Sequence, residues 1–215
     1  MHTCDSLLSS LLAGAHDEAL AALYALDGSP ASLDAARQRA VHVVQAFQEA
    51  FRPGDAPSAL FSGPGRTEIG GNHTDHQHGH VLCGSVDMDM LACAAPNGKE
   101  VIRVLSEGYP AFEVELDSLL PREDERNGSA ALVRGVAAKV QELGYPLAGF
   151  DAYITSTVLS GSGLSSSAAY ETLIGNILNH FCCEEKLDAV AIAKIGQYAE
   201  NVYFGKPCGL MDQMG

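Results

Sequence analysis

The segment V-L-S-G-S-G-L-S-S-S-A-A, residues 158–169, places Gly161, Gly163 and three successive serines, Ser165 to Ser167, just ahead of a helical pattern. Glycine lets backbone approach a ligand with no Cβ in the way. The first turn of a helix offers unpaired N–H groups and a partial positive charge. Together they make a seat for a phosphate group. No Gly-Lys-Ser/Thr follows the glycines, so this is not a Walker loop. A flexible serine-rich turn would have the same composition. Its position favours the phosphate seat, because an apparent strand runs in and an Ala-rich helix runs out.

Two further clusters have chemical potential. Residues 65–76, G-R-T-E-I-G-G-N-H-T-D-H, put Arg66, His73 and Asp75 within ten residues among glycines. Such donors and acceptors suit a polyhydroxylated ligand, although polar, glycine-rich surface turns look alike. His73, His76, His78 and His80 are half of the eight histidines. Their spacings fit no helical i, i+4 pair and no cysteine lies among them, so solvated or hydrogen-bonded rings are expected rather than a metal site. The third cluster is at residues 200–213. Glu200 stands near the C-terminal end of a helical pattern, where the dipole disfavours an acid. Asp212 lies between Met211 and Met214, where a carboxylate is costly unless paired. Both are poorly placed for stability, which points to a site.

The elements that must position these clusters can be read from periodicity. Ser6–Tyr24 and Ser32–Phe51 read as helices separated by a break at Ser29-Pro30, the second with Val43, Val44, Phe47 and Phe51 on one face. Ala59–Phe61 is a short apolar segment running into a Gly63-Pro64-Gly65 turn. Residues 80–93, 101–105, 112–116 and 149–159 read as strands. Helices are expected from Ala130 to Leu143, from Ala168 to Cys182 and from Leu187 to Tyr203.

Composition narrows the class. A chain of 215 residues with 47% apolar and 19% charged content is that of a globular protein. It has no apolar run long enough for a transmembrane helix and its start lacks the pattern of a signal peptide, so no membrane partner and a cytoplasmic location are expected. The net charge of −14 argues against nucleic acid, whose binding rests on neutralising phosphates. It leaves room for a nucleotide held by a few oriented N–H groups. None of the six cysteines forms a C-x-x-C pair, and reduced thiols are expected.

The three clusters stand in the order and approximate spacing found in the GHMP small-molecule kinases. G-R-T-E-I-G-G-N-H-T-D-H is similar to the galactokinase signature of that family, G-S-G-L-S-S-S-A-A resembles its ATP loop, and C-G-L-M-D-Q resembles its catalytic-aspartate segment. The resemblance covers residues from about 58 to 215. It implies an α+β fold of the ribosomal protein S5 domain 2-like type: a mixed sheet with helices packed on one side, forming the amino-terminal lobe of a two-lobed kinase. Residues 1–51 would be a helical extension and 52–215 the sugar- and ATP-loop domain. The implied reaction is ATP-dependent phosphorylation of a hexose, galactose to galactose 1-phosphate.

The resemblance also implies roles. Asp212 would accept or orient the proton of the acceptor hydroxyl, and Arg66 would offset charge on the transferring group. Asn72, His73, Asp75 and Gly209 would hold the sugar. Gly161, Ser162, Gly163, Leu164, Ser165 and Ser166 would wrap the phosphates of ATP, and Ser167 and Glu200 would hold Mg²⁺. Asn72 replaces the family's usual Glu, His76 its Tyr, and Leu159 the Pro before the phosphate loop. Asn72 turns an acceptor-only group into a donor and acceptor, which makes another sugar such as an N-acetylhexosamine the alternative substrate. A non-catalytic sugar- and ATP-binding sensor is the alternative outside the enzyme class. Family chains continue well beyond the aspartate segment, so a carboxy-terminal lobe is the expected partner, and these 215 residues alone are expected to be poorly soluble or inactive.

Overall fold

The computed structural model describes residues 2–24, 27–159, 161 and 163–215. Among these residues five strands form one sheet in the order β1-β2-β5-β3-β4: β1 (Ala59–Gly70), β2 (Leu82–Pro96), β3 (Val101–Ser106), β4 (Phe112–Glu115) and β5 (Phe150–Ser156). The β3–β5 pair is parallel and the other three are antiparallel, so the sheet is mixed as expected. Among the described residues seven α-helices accompany it: α1 (Cys4–Leu12), α2 (Asp17–Tyr24), α3 (Pro30–Phe51), α4 (Ser129–Glu142), α5 (Ser166–Cys182), α6 (Ala189–Tyr198) and α7 (Met211–Met214).

Alternation along β2 sorts side chains between two cores. Met90, Ala92 and Ala94 join Ile102, Val104, Phe150 and Ile154 beneath α4, α5 and α6. Leu91, Cys93 and Ala95 point the other way and pack with Leu7, Leu11, Val43, Val44 and Phe47 of α1 and α3. Helices α4 to α6 lie on one side as expected. Unlike the expectation, helices cover the opposite side as well: the segment read as an extension, residues 1–51, supplies that second layer. Burial on both faces explains why residues 90–95 are apolar throughout rather than cleanly alternating.

A polar network fastens the second layer. Asp89 on β2 is buried. Its carboxylate accepts from Tyr24 Oη on α2 (2.6 Å), from Ser62 Oγ on β1 and from Arg39 on α3. Its backbone bonds both the N–H and the hydroxyl of Thr157, at the start of the Gly/Ser loop.

Two expectations about local structure change. Gly63-Pro64-Gly65 is not a turn: β1 runs through it, with a register irregularity between Pro64 and Arg66. Proline is tolerated there because β1 is an edge strand. The glycines serve close packing instead. A Cβ on Gly63 would stand 2.5 Å from the Ala169 carbonyl oxygen of α5, and one on Gly65 3.1 Å from the Leu164 oxygen. The expected helix from Ser6 to Tyr24 is split at Ala13–His16, where Gly14 has a φ of 76°.

Candidate active site

Arg66 sits on β1 just past the irregularity, with its side chain buried. Its Nε donates to Asp212 Oδ1 (2.9 Å), its Nη2 donates to the same oxygen, and its Nη1 donates to the Gly163 carbonyl (2.7 Å). Ser165 Oγ donates to the other oxygen, Asp212 Oδ2 (2.6 Å). The pairing that the apolar surroundings of Asp212 demanded is supplied by a residue 146 positions away. One carboxylate thus joins β1, the Gly/Ser loop and α7.

The backbone around the second cluster is strained. Asn72 and His73 have φ of 57° and 55°, following Gly71 at 118°. This run of left-handed residues folds the chain back into a short 3₁₀ turn at Asp75–Gln77. The His73 N–H donates to Glu68 Oε1 (2.7 Å), and its ring lies 3.3 Å from Asp212 Oδ1 and 3.5 Å from Asp75 Oδ1. Asp75 Oδ2 accepts the Met211 N–H (2.8 Å). Burial works to raise the Asp75 carboxyl, but the N–H groups of Met211 and His76 and the neighbouring His73 outweigh it and hold the pKa below the ordinary value. A Cβ on Gly209 would fall 1.9 Å from Asp75 Oδ2, so only glycine lets that segment lie against the carboxylate. Arg66, His73, Asp75, Gly209 and Asp212 are therefore brought together, while Asn72 lies exposed at the rim.

In the Gly/Ser loop, Gly161 and Gly163 have φ of 76° and 81°, a conformation that costs other residues energy. Ser162 lies outside the described residues. The helix begins at Ser166, two residues earlier than expected, so Ser165 to Ser167 straddle its start. Among the described residues no side chain caps it, because the Ser165 hydroxyl is turned to Asp212. The first N–H groups of α5 are left for an anion. Ser167 Oγ donates to Glu200 Oε1 (2.8 Å). Glu200 lies in a π-helical turn after α6 and is fully buried, with Lys206 Nζ 3.2 Å from the same oxygen.

Residues 131–215 match the GHMP kinases N-terminal domain, and residues 45–96 match the galactokinase galactose-binding signature. The first matched segment holds Asp212 and the second Arg66, and these two side chains are in contact. Residues 131–215 thus carry a GHMP kinase N-terminal domain. It is 32% identical over 161 residues to a galactokinase of Clostridium tetani (strain Massachusetts / E88), covering 74% of this chain and 41% of that protein. It is 34% identical over 158 residues to a galactokinase of Bacillus subtilis (strain 168), covering 72% and 40%. The crystal structure of Lactococcus lactis galactokinase complexed with galactose superposes with a TM-score of 0.72 at 29% identity, covering 79% of this chain and 44% of that one. The chain spans about two fifths of the length of these curated relatives.

Several features of this candidate site escaped the sequence. A cavity of about 540 Å³ opens beside the start of α5. Met90, Ile154, Val158, Tyr170 and Phe204 give it apolar walls, and Ser166 and Ser167 stand at one end. Gln213 Nε2 lies 3.1 Å from Glu200 and 3.0 Å from Glu171, a second fully buried acid. Burial first, and the charge of Glu200 second, push the Glu171 carboxyl up to about 9. Glu171 follows Ser167 by four residues, one helical turn, so an acid on the apolar face of α5 was a visible signal. Lys206, in a Gly-Lys-Pro turn, gave none.

Proposed function

We propose that this chain forms the sugar- and nucleotide-binding lobe of an ATP-dependent kinase that phosphorylates galactose at its anomeric hydroxyl. The observation that carries this reading is the Arg66–Asp212–Ser165 junction, where the galactose-binding signature and the phosphate loop meet on one carboxylate. Asp212 orients the acceptor hydroxyl and takes its proton as the new O–P bond forms and the bond from the γ-phosphorus to the β–γ bridging oxygen breaks, so that ADP leaves. A loose transition state asks little of a base, so orientation is the larger part of its work. Arg66 offsets charge on the transferring phosphoryl group. Asn72, His73, Asp75 and the backbone at Gly209 hold sugar hydroxyls. Asp75 suits this well, since one of its oxygens is buried without a hydrogen-bond partner among the described residues.

The apolar cavity takes the base of ATP, whose phosphates then reach the loop from Gly161 to Ser166 and the uncapped start of α5. Ser167 and Glu200 would hold Mg²⁺. The donor set fits a hard ion, being a hydroxyl and a carboxylate 2.8 Å apart with a cation, Lys206, already drawn to the same oxygen. When bound, the ion would neutralise phosphate charge. On these assignments residues 52–215 are the catalytic-site domain and the helices of residues 1–51 its outer layer.

Replacing Asp212 by Ala in the full two-lobed kinase tests the reading. Sugar phosphate formation is expected to fall by about 10²–10⁴-fold, while galactose binding measured by calorimetry persists. Unchanged turnover would remove Asp212 from the mechanism.

A further inference from the structure

We propose that His73, Asp75 and His76 form a binding site for a divalent transition metal such as Zn²⁺ or Co²⁺ at the mouth of the sugar cradle. One ligand atom from each residue lies within 4.8 Å of the others. Two ligands at the zinc–nitrogen and zinc–oxygen distances of about 2.0–2.2 Å stand at most about 4.4 Å apart, so small rotations of the two exposed imidazoles complete the set.

Three observations point to a cation. The first is Asp75 Oδ1, which is buried with no hydrogen-bond partner among the described residues and lies 3.5 Å from His73 Nδ1. The second is the pinned tautomer of His76. Its Nδ1 lies 2.8 Å from the His73 carbonyl, which can only accept, so Nδ1 carries a proton and in the neutral ring Nε2 is the nitrogen left to ligate. A ligating histidine whose other ring nitrogen donates to a carbonyl is the usual outer-shell arrangement. The third concerns His73. With Nδ1 on a metal, its Nε2–H faces Asp212 Oδ1 at 3.3 Å, the corresponding carboxylate–histidine arrangement. Arg66 Nη2, 3.4 Å from that Nε2, would ask it to accept instead; metal binding at Nδ1 settles the choice towards Asp212.

Local charge agrees. Asp75, Asp212 and Glu68 surround the His73 loop against the one guanidinium of Arg66. The histidine spacing in sequence suits no helical metal motif, which is why the cluster was read there as solvated. The left-handed turn at residues 71–73 and the 3₁₀ turn after it bring the rings together. Imidazole selects zinc, cobalt and nickel over magnesium, so this site differs in kind from the hydroxyl–carboxylate pair of Ser167 and Glu200. An ion here would occupy groups that the proposed galactose site uses, so it would act as an inhibitor competing with sugar; that consequence rests on the functional reading above, whereas the metal site itself does not.

The test is titration of the full chain with Co²⁺, followed by its visible absorption, and with Zn²⁺ by calorimetry. His76→Phe is expected to weaken binding by at least about tenfold with an unchanged circular dichroism spectrum, and His80→Ala, outside the cluster, to leave it alone. Equal affinity in wild type and His76→Phe would overturn the proposal, as would a cobalt spectrum of an all-oxygen octahedral ion. Adding galactose separates the two readings. Displacement of the metal by sugar supports both. A metal that stays bound, still sensitive to His76→Phe, supports the metal site and overturns the sugar assignment of His73 and Asp75.

Discussion

Glu171 shows how a single side chain can record its surroundings. It is fully buried, one of its oxygens lacks a partner among the described residues, and it shares the Gln213 amide with Glu200. Its pKa is raised from 4.5 to about 9, so the folded protein holds a proton there that the unfolded chain releases above 4.5. Stability from this group is full below 4.5 and declines as pH rises from there towards 9. Glu171→Gln is therefore expected to flatten the fall of melting temperature across neutral and mildly alkaline pH. A variant whose melting curves track the wild type over that range would show that Glu171 is not protonated in the fold. The residue scale was also the most legible in sequence. Asp212 and Glu200 stood out as acids in the wrong places, and each proves to be buried against a positive or hydroxyl partner. Their partners were not legible, because Arg66 is 146 residues from Asp212 and Ser167 is 33 from Glu200.

At the scale of elements, β1 carries the largest lesson. Gly63-Pro64-Gly65 has the composition of a turn, and local propensity alone reads it so. The segment stays in the sheet because α5 lies directly on it, a non-local contact that no local pattern displays. Gly63→Val would drive a side chain into the Ala169 carbonyl, 2.5 Å from the Cβ position, and into Leu173 Cβ at 3.0 Å. Overpacking of this kind is expected to cost about 1–3 kcal/mol, read as a lower urea midpoint, and to weaken the nucleotide binding proposed for the start of α5. Strands β3, β4 and β5 and helices α4 and α5 came within a few residues of their expected bounds. Their periodicity is unambiguous, each having one clear apolar face or a short apolar run.

Across the whole molecule, the sheet is a shared wall. One face serves α4 to α6 and the site, and the other is closed by α1 to α3. No helix among the described residues is long and apolar enough to cross a membrane. Removing residues 1–51 would strip the cover from Leu91, Cys93, Ala95 and Tyr153 and leave Asp89 without Tyr24 and Arg39. The shortened protein is expected to bind a hydrophobic dye and to lose its cooperative melt; a deletion that melts like the full chain would show that the outer layer is dispensable. The two-layer cover was not legible because an amphipathic helix announces that it packs, not on what.

The Arg66–Asp212 contact has a kinetic side. Its two halves are separated by most of the chain, and the Asp75–Met211 bond beside it spans 136 residues. Contacts of such separation require loops to close before they return any energy, and they form slowly. Helices and hairpins can assemble without them. A newly made chain therefore lacks the Arg66–Asp212 pair until the segment that holds Asp212 has docked on β1, and the chemistry proposed for that pair is withheld from every partly folded state that lacks that closure.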